Sequence, residues 1–146
     1  MRLTFTKGAG KMDALLVERE GQAAERIECP KQGIIPHDMV HYAVESVVGH
    51  GFLGMVADGA PAAFTTTGGA EQEAVERLVE CFQAEMWGGR VPACELLAAY
   101  HHACAASGHA AVAVSEAEVE AIRARLDALG EEWAAVPVHG TLTVEL

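Results

Sequence analysis

The spacing of apolar residues changes period twice along this chain, and the two changes leave few folds open. Near the start, Leu3 and Phe5 alternate with Thr4 and Thr6, the two-residue repeat of a half-buried strand. From about residue 40 the apolar side chains recur at three and four residues, as one face of a helix requires. Thr141-Leu142-Thr143-Val144-Glu145-Leu146 then returns to strict alternation. Strands at both ends with helices between them predict a single α+β domain over residues 1–146, with a small antiparallel sheet packed on one side by amphipathic helices. Three or four strands are expected near residues 2–7, 12–19, 23–29 and 141–146, the last returning to the sheet made by the first third. Helices are expected with centres near 42, 79, 99 and 122.

Local signals fix the joints. Lys7-Gly8-Ala9-Gly10-Lys11 supplies a glycine-rich turn, and it lacks both the Gly-Lys-Ser/Thr ending and the following helix of a phosphate loop. Glu20-Gly21-Gln22 reads as a tight reversal, and Pro30 ends the third strand. Pro36 suits the start of a first helix running to Val48, with Val40, Ala43, Val44, Val47 and Val48 on one face and Gly49 and Gly51 to stop it. The glycine-punctuated stretch from His50 to Ala60 fits a short helix or a buried connector. Thr65-Thr66-Thr67-Gly68-Gly69 marks a loop before a helix from Ala70 to Trp87, closed by Gly88-Gly89. Another helix begins near Pro92 and carries Leu96, Leu97, Tyr100 and Ala103. Ser115 stands three residues before Glu118, a capping box, with Val114 and Val119 available as a hydrophobic staple. Val119, Ile122, Leu126 and Leu129 follow at helical spacing, and Gly130 is positioned for a left-handed cap.

Charge narrows the partners. The formal net charge is −11. Six of the ten basic side chains lie in residues 1–31 beside five acidic ones, which leaves four basic against 16 acidic over residues 32–146. Such a surface repels phosphate, so neither nucleic acid nor an anionic membrane is an expected partner. No run approaches the roughly 20 apolar residues that span a bilayer, and the first residues read as a strand and not as a signal peptide, so the cytoplasm is the expected location. Cys29, Cys81, Cys94 and Cys104 are spaced too widely for a zinc knuckle or a redox pair and read as core thiols. Apolar helical stripes on an acidic chain predict a homodimer over an open assembly.

The chemistry-bearing candidates gather on the first helix. At about 100° per residue, His41, Glu45 and Asp38 fall about 40°, 80° and 100° from His37, where the apolar stripe of Val44 and Val48 ends. Imidazoles four residues apart can converge on one ion, so His37 and His41 are the expected ligands of zinc or another divalent metal. Asp38 and Glu45 are the catalytic candidates, and Glu45 is also a candidate third ligand. His50, His101, His102, His109 and His139 are residues that could complete the set from elsewhere. The competing reading makes both histidines ordinary, partly buried residues bonded to Asp38, Glu45 or the backbone. Nucleophile elbows and dinucleotide fingerprints are missing, and Ser115 is accounted for as a helix cap.

The stretch from Gly33 to Glu45, with Pro36-His37-Asp38-x-x-His41 at its centre, resembles small uncharacterised bacterial proteins in which such a segment follows N-terminal strands. In them a tryptophan-containing segment leads to a glycine turn and a last strand, similar to Trp133 through Leu142. That resemblance implies an arrangement and no reaction. His37-Asp38-x-x-His41 is also similar to the zinc-peptidase His-Glu-x-x-His helix, which implies that both histidines bind metal and that Asp38 activates water. Asp38 is one methylene shorter than that glutamate, and its place in the first helical turn offers another role, stabilising the helix end. Two functions are therefore expected in competition: a noncatalytic ligand-binding or assembly domain, or a metal-dependent hydrolase.

Overall fold

Leu3 and Phe5 sit at the centre of a four-stranded antiparallel sheet and are fully buried. The computed structural model describes residues 1–62 and 69–146. Its strands are β1 (Arg2–Thr6), β2 (Met12–Glu18), β3 (Glu25–Pro30) and β4 (Thr141–Glu145), in the order β3-β2-β1-β4. In register, Leu3 pairs with Val17 and Val144, and Phe5 with Leu15 and Leu142, so the alternating residues of both chain ends form one apolar face. Closure by β4 holds as expected: Lys7 N–H donates to Gly140 O at 3.0 Å, and His139 N–H to Lys7 O at 2.7 Å.

Between β3 and β4 run five helices: α1 (His37–Val48), α2 (Phe52–Ala57), α3 (Ala70–Gly88), α4 (Ala93–Ala106) and α5 (Glu116–Ala135). The stretch left open above contains α2, and the Thr65–Gly68 part of the expected loop lies outside the described residues. No helix among the described residues is long and apolar enough to cross a membrane.

Helix α5 begins at the capping box: Ser115 Oγ accepts from Glu118 N–H at 3.1 Å, and Glu118 Oε1 from Ser115 N–H at 3.0 Å. It does not end at Gly130. Trp133 continues the buried stripe of Val119, Ile122, Leu126 and Leu129, and that packing carries the helix through the glycine to Ala135.

Helix α1 packs against α2, α3 and α5, which explains a buried surface wider than its valine stripe. Asp38, His41 and Glu45 are buried along with Met39, Val40, Ala43 and Val44. Three ionisable side chains inside one short helix require partners, because an unpaired buried charge or polar group costs several kcal/mol.

Candidate metal centre

The partners of those side chains come from three different elements. Asp38 turns to the sheet, where its Oδ2 accepts from Cys29 Sγ at 3.3 Å. Burial and the Asp38 charge push the Cys29 thiol well above its ordinary range, so it stays protonated and donates. Glu45 turns to α2: its Oε1 accepts from Leu53 N–H at 2.8 Å, and its Oε2 lies 2.9 Å from His41 Nδ1. His37 and His41 turn to α3.

On α3 the decisive side chain is Glu76. Its Oε2 lies 3.0 Å from His41 Nε2 and its Oε1 3.5 Å from His37 Nε2, while the two Nε2 atoms stand 3.1 Å apart. Among the described residues, His37, His41 and Glu76 form the one group of three such side chains close enough to share an ion, with ligand atoms within 4.8 Å of one another. Three atoms held about 2.05 Å from a common centre would be about 2.9 Å apart at right angles and about 3.3 Å apart at the tetrahedral angle. The observed spacings, 3.0, 3.1 and 3.5 Å, lie close to those values, with Glu76 turning one oxygen to each imidazole.

The outward nitrogens are also held. His37 Nδ1 lies 3.0 Å from Gln83 Oε1, which can only accept, so Nδ1 carries the hydrogen. His41 stands between two carboxylates, Glu45 on its Nδ1 and Glu76 on its Nε2. His37, when neutral, therefore presents a bare Nε2 toward Glu76, and His41 does so when its hydrogen is on the Glu45 side, the tautomer a metal needs. Phe52 packs its ring edgewise on His41, with centroids 5.9 Å apart and planes at 80°. His41 is almost sealed, whereas the His37 side chain is 34 % exposed and that of Glu76 23 %, so one side of the group opens outward.

Without an ion the cluster is held by charge. Burial opposes a proton on His41, but the bonds to Glu45 and Glu76 outweigh it and push the imidazolium up to about 9. His37 is raised by its bond to Glu76, against burial and the neighbouring His41 charge. Glu76 loses some stability as an anion through burial, yet the two histidines hold it well below the usual carboxylate range. Burial pushes Glu45 upward, and its bonds to His41 and the α2 backbone offset this only in part.

Of the expected residues, the fold thus brings His37 and His41 together, aims Asp38 at Cys29, and places Glu45 behind His41 on its Nδ1 side. The other histidines do not complete the set: His50 pairs with Glu71, His101 and His102 are exposed on α4, His109 Nδ1 bonds Ala110 O, and His139 forms the turn before β4. Glu76 and Gln83 were not anticipated. They lie seven residues apart on one face of α3, but that helix also carries Glu71, Glu73, Glu80 and Glu85, so position alone marks neither.

No known protein family, curated protein or solved structure matches the chain.

Proposed function

We propose that this protein binds one divalent transition metal through His37 Nε2, His41 Nε2 and the Glu76 carboxylate, and that the ion activates water for hydrolysis. The observation that carries the reading is the convergence of those three groups, the two Nε2 atoms 3.1 Å apart and 3.0 and 3.5 Å from the nearer oxygen of Glu76, with each imidazole met from behind by Glu45 or Gln83. Two imidazoles and a carboxylate suit zinc, and the same set with open positions suits iron(II). Three protein ligands leave at least one position for water, whose pKa falls to about 7 on zinc. The ion itself would supply the hydroxide, because Asp38 is engaged by Cys29.

Calorimetric titration of metal-free protein with zinc, manganese, nickel and iron(II) tests the binding. One equivalent should bind to the wild type, and His37→Ala, His41→Ala and Glu76→Gln should each weaken it by more than the roughly 100-fold typical of an outer-shell loss. Indistinguishable weak binding by all four proteins would overturn the reading. Hydrolysis of activated ester and phosphodiester probes, abolished by chelator and restored by metal, tests the reaction.

A second reading, an apolar contact surface, is favoured by Trp87 and Ile34, which are 63 % and 58 % exposed. The Trp87 indole covers Gly33, next to Ile34 in the chain, and a homodimer joined there is the proposed assembly. A monomeric mass by light scattering at the highest attainable concentration would exclude it. A cytoplasmic location is proposed on the strength of four free cysteines.

A further inference from the structure

We infer that Glu45 is a positioning residue of the metal centre and that the start of α2 belongs to the centre through it. The inference rests on His37, His41 and Glu76 being the ligands.

Glu45 is 4 % exposed, so its carboxylate must be satisfied from within. Its two oxygens have different tasks: Oε1 accepts the Leu53 amide hydrogen at 2.8 Å, and Oε2 accepts from His41 Nδ1 at 2.9 Å. The chain makes room for this at Gly51, where any side chain would overlap the Glu45 carboxylate and where φ is +134°, a conformation open to glycine. Helix α2 is fixed at its far end as well. Arg19, from the turn between β2 and β3, donates to Val56 O at 2.8 Å and to Ala60 O at 2.7 Å. The Leu53 amide is therefore a fixed donor, and it selects which Glu45 oxygen remains for His41.

A carboxylate can accept on both sides, and an amide cannot. In Glu45→Gln the single carbonyl oxygen would take the Leu53 hydrogen, because the alternative sets two buried donors against each other. The amide NH2 would then face Nδ1, which must become an acceptor. Neutral His41 would carry its hydrogen on Nε2, the atom that has to bind the ion. A substitution that changes neither size nor shape thus switches a ligand off by tautomer alone.

In the wild type the Glu76 carboxylate also faces His41 Nε2, so the test is made in Glu76→Ala, which leaves Glu45 as the carboxylate on the ring. Nitrogen-15 spectra of histidine-labelled, metal-free protein, recorded where His41 is neutral, should show the Nδ1–H form in Glu76→Ala and the Nε2–H form in Glu45→Gln. Zinc affinity should fall by about 10- to 100-fold in Glu45→Gln, with the far-ultraviolet circular dichroism unchanged. Nδ1–H in Glu45→Gln, Nε2–H in Glu76→Ala, or equal zinc affinity in folded wild type and folded Glu45→Gln would each overturn the inference. The Glu76→Ala spectrum decides it even should Glu45→Gln fail to fold. Variants that show the expected tautomers, with a wild type that binds no zinc, would remove the metal reading and leave Glu45 as the residue that orients His41.

Discussion

Glu76 Oε2 lies 3.0 Å from His41 Nε2, although the two residues belong to different helices and a third stands between them in the chain. That contact joins α1 to α3 at the most buried imidazole of the cluster. It makes the protonation of His41 a property of the packing as well as of the site.

The first expectation concerns pH. The His41 imidazolium is raised to about 9 in the folded protein against about 6.5 in an unfolded chain. The folded state therefore binds the extra proton between those values, and its contribution is complete below pH 6.5 and lost as pH rises through 9. Glu76 works in the opposite sense, with stability present above the ordinary carboxylate range and lost as pH falls below it. Metal-free protein should lose on the order of 2 kcal/mol between pH 6.5 and 9.5, read as a falling urea midpoint. His41→Ala should flatten that limb. Zinc should reverse its sign, because the ion needs the deprotonated ring.

The second concerns a buried ion pair outside the cluster, Arg123 of α5 with Glu85 of α3. Arg123 Nε and Nη2 donate to the two Glu85 oxygens at 2.9 and 2.8 Å, and Nη2 also donates to Val91 O at 2.7 Å. Their side chains are 6 % and 7 % exposed. Arg123→Ala should cost about 3–5 kcal/mol, chiefly by leaving the Glu85 charge buried and unpaired. Replacing both by leucine should recover most of that loss in a denaturant titration. A double variant no more stable than the single one would show that the guanidinium serves through its bond to Val91 O.

The third concerns Gly130, which sits inside α5 with open space where a side chain would begin. Gly130→Ala should stabilise the protein by about 0.5–1 kcal/mol, because alanine loses less backbone freedom on folding. Ser115→Ala, at the capped end of the same helix, should cost about 1 kcal/mol. Equilibrium unfolding of the two variants should show shifts of opposite sign.

Part of the centre was legible from residue order. His37 and His41 share a helix face because helical spacing puts them there, and the edge of the valine stripe marks that face as half-buried. The same arithmetic put Asp38 and Glu45 nearby, and both are buried, yet neither carboxylate is among the three groups close enough to share an ion, and Glu45 reaches only the outward nitrogen of His41. A helical wheel gives the direction of a side chain and is silent on what waits in that direction. Asp38 meets the Cys29 thiol on β3, and Glu45 meets the Leu53 amide at the start of α2.

The sequence by itself determined the sheet and most helix limits. Alternation at Leu3 and Phe5 and again at Leu142 and Val144, Pro36 and Pro92 before helices, and the Ser115–Glu118 box are local signals, and local geometry enforces them. Tertiary structure decided the rest. Helix α5 passes through Gly130 because Trp133 has a core to enter, a gain that no window of neighbouring residues contains. Glu76 was chosen over the other acids of α3 because the packing of α3 on α1 brings its carboxylate, and not theirs, against two imidazoles. Ligand atoms about 3 Å apart come from segments remote in the chain, and only the long-range burial that packs those helices together can set such a distance.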